Sequence, residues 1–110
     1  MGESVKGEVV IVPFPFSDLS RIKKRPALVV ADLQGDDRIL CQITSQSYGD
    51  PYSIPLNSDD FNFGGLMMES WVRPNKIFTF ESSIIEKSVG HLNSQKINEI
   101  IGVIIKILRQ

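Results

Sequence analysis

The sequence predicts a mainly β fold: a small antiparallel barrel, closed or partly closed, with a single helix packed on it. Three observations carry this expectation. Short apolar runs rich in β-branched residues recur along most of the chain. Turn chemistry built on Gly, Pro, Asp and Asn separates them. Apolar residues at three-and-four spacing appear in one place only, at the C-terminal end. Strands followed by one terminal helix suit a sheet that curls on itself under a lid, and do not suit alternating βαβ units.

Taken in order, Glu8 to Val12 is β-branched after its first residue, which predicts a strand over about 7–12, ended by Pro13-Phe14-Pro15-Phe16. Ser17-Asp18-Leu19-Ser20 and the basic run after it read as a loop of roughly ten residues, long for a hairpin. A second strand over about 26–32 is continuously apolar, as a strand covered on both faces or a barrel wall would be. Gln34-Gly35-Asp36-Asp37 turns the chain into a third strand at about 38–45. There Ile39, Cys41 and Ile43 share one face, Leu40, Gln42 and Thr44 the other, and Thr44 is expected to emerge at the polar end. A short strand near 52–56 follows, then a loop from Ser58 to Gly65. From Leu66 to Phe80 the chain reads as a longer strand bent or interrupted at Arg73-Pro74, and with its two arms counted separately the chain shows six short strands. Ile97, Ile100, Ile101, Ile104, Ile105 and Leu108 form one helical stripe; Asn93 suits the N-cap and Leu92 can staple onto Ile97.

The chain of 110 residues is long enough to bury a core of its own, and it reads as one domain over 1–110. With 42% hydrophobic and 23% charged residues and a net charge of −1, the composition is that of an ordinary globular protein and offers no global attraction to nucleic acid or membrane. A polyanion site must therefore be local. The lone Cys41 lies in the apolar run Ile39 to Ile43, which argues against a disulfide framework and fits a reducing cytoplasm. The first residues lack the basic head and apolar core of a secretory signal, and the C-terminal apolar segment is interrupted by Glu99, Lys106 and Arg109.

Against that neutral background, four of the twelve Lys and Arg residues, Arg21, Lys23, Lys24 and Arg25, fall within five positions. Pro26 restricts Arg25 to extended geometry, so the last cation is held at the entrance of a strand. Such cations can keep a sheet edge soluble, or they can aim at a phosphate. A second polar stretch, Ile43-Thr44-Ser45-Gln46, closes the third strand and supplies hydroxyls and an amide. Asp59-Asp60 could be taken for metal ligands, but adjacent carboxylates in a turn with no histidine nearby read as solvated. His91, at a boundary before the helix, reads as a surface or capping group rather than a general base.

Three blocks together resemble the MazF/PemK family of toxin ribonucleases: Gly7-Glu8-Val9-Val10-Ile11-Val12-Pro13-Phe14-Pro15-Phe16, Lys24-Arg25-Pro26-Ala27-Leu28-Val29-Val30, and Gln42-Ile43-Thr44-Ser45-Gln46. The similarity extends through Glu69-Ser70-Trp71-Val72-Arg73-Pro74-Asn75-Lys76-Ile77 and the closing helix, and so covers nearly the whole chain. The resemblance implies an SH3-like barrel acting as a homodimer and cutting single-stranded RNA at short sequences. The cut would leave a 2′,3′-cyclic phosphate, without metal or other cofactor. A cognate antitoxin would cover the RNA groove, the toxin-antitoxin complex would bind operator DNA, and no membrane would be involved. By the same resemblance Arg25 and Thr44 are the catalytic pair, and Phe16, Ser17, Arg21, Lys23, Lys24, Gln46 and Ser70 face the RNA. The loop departs from the glycine-containing versions frequent in the family, having Ser20-Arg21-Ile22 instead, so target preference does not carry over.

Two other readings belong to different classes. The similar barrel of the gyrase-poisoning CcdB toxins performs no chemistry and relies on a Trp-containing helix end. This chain ends Ile107-Leu108-Arg109-Gln110, with its one tryptophan, Trp71, on a predicted strand. An inactive barrel kept as an interaction module is the third.

Overall fold

The computed structural model describes residues 4–15, 22–47 and 49–110. Seven strands, β1 (Glu8–Pro15), β2 (Ile22–Asp32), β3 (Asp37–Thr44), β4 (Ile54–Leu56), β5 (Phe61–Gly64), β6 (Ser70–Glu81) and β7 (Lys87–Leu92), precede one helix, α1 (Ser94–Leu108). They form a single antiparallel sheet in the order β4-β6-β3-β2-β1-β7-β5. Register breaks along β1, β2, β3 and β5 add the twist that curls it. The outer strands β4 and β5 are only three and four residues long.

Both faces of the central strands are buried, which is why β2 reads as an unbroken apolar run. On one face Val9, Leu28, Cys41, Ile43 and Val72 pack with Ile100 and Ile104 of α1. On the other, Val10, Val12, Ala27, Val29 and Leu40 lie beneath Phe78, Phe80 and Ile85. Phe78 also meets Phe14, their ring centroids 4.8 Å apart. The alternation expected of the third strand is present, with Cys41 and Ile43 in one cluster and Leu40 in the other.

Three expectations are corrected. Pro13 and Pro15 do not end the first strand, since β1 runs on to pair Pro13 with Lys24 and Phe14 with Lys23. Its other neighbour, β7, stops pairing at Ile11, so from Val12 onward one side of β1 is an edge where a missing donor is tolerated. The basic residues from Lys23 to Arg25 accordingly belong to β2 and not to a loop. The stretch from Ser58 to Gly65 is not all loop: a 3-10 turn, Ser58–Asp60, leads into β5. The segment from Lys87 to Leu92, to which the sequence assigns no strand, is β7; with β5 also new and Ser70–Glu81 one continuous strand, the sheet has seven strands and not six. A Cβ on Gly90 would come within 2.9 Å of the Phe63 carbonyl oxygen, so close strand packing requires the glycine.

The expected bend in the long strand is present. β3 pairs Cys41 with Ile77 but Gln42 with Arg73, leaving Pro74 to Lys76 outside the register, and Pro74 is fully buried. The helix also follows its sequence signals, for the Asn93 side chain accepts the Lys96 amide at 2.8 Å. Ile100 and Ile104 are buried, whereas Ile105 and Leu108, at the end of the stripe, remain exposed. Asp60 accepts the Asn57 amide and pairs with Lys96 at 3.6 Å, so this carboxylate ties the 3-10 turn to the helix N-terminus. Among the described residues no group of three His, Cys, Asp or Glu could hold a metal ion, and no helix is long and apolar enough to cross a membrane.

Candidate nucleic-acid interface

Arg25 and Thr44 stand on neighbouring strands near the end of one ladder. β2 and β3 pair Leu28 with Cys41 and Ala27 with Gln42, where their ladder ends; Arg25 lies two residues before that last pair on β2 and Thr44 two residues after it on β3. Thr44 pairs on its other side with Trp71, and Arg25 with Val12. Two pairs, Val12 with Arg25 and Thr44 with Trp71, thus stand on either side of the end of the β2–β3 ladder. Beside the larger Trp71, Thr44 does not emerge at the strand end as expected; it is 3% exposed. Its Oγ1 accepts the Gln46 amide at 3.1 Å, which fixes the oxygen against the turn that follows β3.

A groove of about 240 Å³ opens at this end of β2 and β3, lined by Lys24, Arg25, Pro26, Ile43, Ser45, Leu66, Met67, Met68 and Ser70. Of the residues expected to face RNA, Lys24 and Ser70 line it, and of the expected catalytic pair Arg25 does. Thr44 does not: alternation turns it away from the side taken by Ile43 and Ser45. Ser70 is buried and donates to the Met68 carbonyl at 2.8 Å, pinning the short loop before β6. Lys23 and Gln46 are exposed next to the groove. Phe16, Ser17 and Arg21 lie outside the described residues. Met67 and Met68, both exposed, are groove residues that the sequence reading absorbed into a strand. Two adjacent methionines between Gly64-Gly65 and a polar strand start were the available signal, because soft apolar side chains without a periodic apolar neighbourhood tend to lie at binding surfaces.

Lys24 ion-pairs with Glu86 at 3.1 Å on the surface. Glu86 in turn lines a second, larger groove of about 560 Å³, whose other charged lining residues are Glu8, Asp36, Glu81 and Lys87. Its wall is held from behind by Arg38, 2% exposed, which donates to the carbonyls of Ser4, Leu33, Gly35 and Asp37. On the far side of Thr44 the connection to β4 is fastened by Asp50. Its carboxylate accepts from the Ser53 hydroxyl and from the amides of Tyr52 and Ser53, and Arg73 stands 3.7 Å away. The Ser53 hydroxyl foremost, with the two amides and Arg73, holds the Asp50 carboxyl below its ordinary range against the opposing effect of burial. Burial pushes the Cys41 thiol up to about 12, so it has no part in surface chemistry.

A family model described as PemK-like, MazF-like toxin of type II toxin-antitoxin system matches residues 5–108. No curated protein matches the chain in sequence. Among solved structures, the chain is similar to MazF from Deinococcus radiodurans, with 19% identity, all of both chains covered and a TM-score of 0.77. It is also similar to an endoribonuclease from a mycobacterial species, with 17% identity, 98% of this chain and 93% of the other covered and a TM-score of 0.74. A mycobacterial endoribonuclease in complex with its cognate antitoxin matches at 15% identity, with 96% and 94% covered and a TM-score of 0.75.

Proposed function

The chain belongs to the PemK-like, MazF-like toxins of type II toxin-antitoxin systems, and we propose that it is a metal-independent endoribonuclease cutting single-stranded RNA, restrained by a cognate antitoxin. The observation that carries this reading is the groove that Lys24 and Arg25 make cationic, with Thr44 closing the neighbouring strand β3.

Attack of a ribose 2′-hydroxyl on the adjacent phosphorus forms a phosphorane that carries more negative charge than the ground-state diester. Breaking the bond to the 5′-oxygen then leaves a 2′,3′-cyclic phosphate and a 5′-hydroxyl. In this reading the Arg25 guanidinium offers forked donors to the phosphoryl oxygens as that charge develops, and the Thr44 hydroxyl adds a further polar contact. A guanidinium whose pKa lies above roughly 12 acts by charge and geometry, and not as the base that takes the 2′-proton. Lys24, Lys23 and Arg21 attract the backbone, while Ser70, Gln46, Phe16 and Ser17 complete the RNA contacts. Endoribonuclease relatives of the same fold, one of them bound to its antitoxin, support the assignment. We further read the chain as half of a homodimer, an arrangement that exposed Ile105 and Leu108 at the end of α1 would favour. The same reading places it in the cytoplasm and, with its antitoxin, on operator DNA.

The test is incubation of the purified protein with a mixed single-stranded RNA in EDTA. Cleavage with a cyclic phosphate on the upstream fragment supports the proposal. Cleavage strictly dependent on added magnesium removes its mechanism, and inhibition of gyrase without cleavage of any RNA replaces it with the poison reading. Light scattering at micromolar concentration should report twice the chain mass.

A further inference from the structure

The loop between β5 and β6 holds apolar side chains in solvent. Its two ends are fastened: the Gly65 amide donates to the Val89 carbonyl at 3.1 Å, and the Ser70 hydroxyl donates to the Met68 carbonyl at 2.8 Å. Between those ties Leu66 packs on the core, whereas Met67 is fully exposed and Met68 is 66% exposed. Both methionines line the groove that Lys24 and Arg25 also line, and among its described lining residues those two cations carry the only charge. Buried Ile43 and half-buried Leu66 give the groove apolar surface as well. A smaller pocket of about 70 Å³ adjoins it through Leu66, Met68 and Ser70 and brings in Phe61. Two thioethers therefore stand in one groove with a guanidinium and an ammonium, on a loop that hydrogen bonds hold at both ends.

An occupant matched to this groove carries negative charge on one part and a flat apolar face on another, and a nucleotide of unpaired RNA has both. Bases free of a duplex are gripped through their π-faces, a contact that tolerates sequence because every base has one. Methionine suits such a face, since its polarizable sulfur adapts to the shape of an aromatic ring and contacts it favourably. We infer that Met67 and Met68 are substrate-binding residues, a wall against which one base of the RNA lies while a phosphate next to it is held by Lys24 and Arg25. The inference rests on the ribonuclease reading. It adds to that reading the point on the protein where a base, and not the backbone, is gripped. Because the loop is tied at both ends, the wall stands before RNA arrives and little ordering is needed on binding.

The methionine methyl groups supply their own readout. The protein is labelled with carbon-13 in those groups, and Met67→Leu and Met68→Leu assign the two signals by NMR. A short RNA blocked against cleavage by 2′-O-methylation is then titrated in, with binding followed by anisotropy of a label on the RNA. The expected result is an upfield movement of the Met67 and Met68 methyls, under the ring current of the base, that saturates together with the anisotropy. An oligomer of the same length with the sugar-phosphate chain and no bases should bind through its charges and leave both methyls in place. The double variant Met67→Ala, Met68→Ala should bind the intact RNA roughly fivefold more weakly at an unchanged salt slope, because the phosphate contacts remain. Circular dichroism confirms its fold, and the methyl shifts of the wild-type protein decide the matter if it unfolds. Methyls that stay in place while the anisotropy saturates, or that answer the base-free oligomer equally, overturn the inference and leave the ribonuclease reading standing; so does equal affinity in wild type and a folded double variant. Methyls that move on dilution of the protein but ignore RNA also overturn it, for the loop is then covered by a second copy. Failure of the wild-type protein to bind or cleave any RNA brings down the ribonuclease reading itself, and the inference with it.

Discussion

The groove beside Arg25 and the groove beside Glu81 lie on either side of the Lys24–Glu86 ion pair and carry opposite charge. The acidic one is the larger, about 560 Å³ against about 240 Å³, yet a polyanion is drawn to the smaller. A chain whose charges almost cancel has separated them in space, and in the proposed reading sign selects the RNA path where volume would mislead. Net charge, read from composition, averages this away.

The largest expected effect follows from removing the guanidinium. Arg25→Ala should lower turnover on the order of 100-fold or more while RNA affinity falls only modestly, since the contact is made to charge that develops in the transition state. Arg25→Lys should rescue little, because an ammonium keeps the charge and loses the planar fork. Thr44→Val, which keeps shape and deletes the hydroxyl, should also depress turnover. Glu81→Ala, in the other groove, should cleave like wild type. Near-native cleavage by Arg25→Lys, or damage from Glu81→Ala equal to that from Arg25→Ala, would erase the contrast between the grooves.

The second arginine tests the other groove as architecture. Arg38→Ala removes the donors that four backbone carbonyls use and should cost about 3 kcal/mol of stability, measured by urea denaturation, with turnover per folded molecule unchanged. A smaller effect is expected at the ion pair. Lys24→Ala should weaken RNA binding uniformly over sequences and lower the salt slope by about one contact, and Glu86→Ala should strengthen binding about twofold by releasing the lysine. The last test concerns what neither groove reaches. Cys41 should resist alkylation at pH 8 until the chain unfolds, and stability should fall as pH rises from about 9 toward 12. Over that range the unfolded thiol gives up a proton that the folded one keeps.

The elements with strong local signals were legible in the sequence. The helix, with its Asn93 cap and isoleucine stripe, and the doubly covered β2 needed only periodicity and propensity. β7 did not announce itself, because Lys87-Ser88-Val89-Gly90-His91-Leu92 has one β-branched residue and a glycine, and its strand geometry is imposed by pairing with β1 and β5. The prolines of β1 misled for a related reason: proline excludes a central strand, but only tertiary structure reveals that β1 becomes an edge at Val12. At the candidate site, Arg25 could be singled out from its charge and its proline. The pairing of Thr44 with Trp71 depends on a register between segments far apart in sequence, and the burial of Thr44 follows from that neighbour.

The ends of the sheet have a consequence for how copies of this chain can associate. Its two outermost ladders are short and spoiled, one by Pro55 in the middle of three residues, the other by Gly64 at a φ of +73°, where any side chain would run into the Val89 carbonyl. A neighbouring molecule finds too few free amides in a row to extend either one. Filaments built by strand addition are disfavoured even at the concentrations that overproduction brings. Self-association is left to side chains on the curved surfaces and loops, where it can close on a defined number of subunits instead of growing without limit.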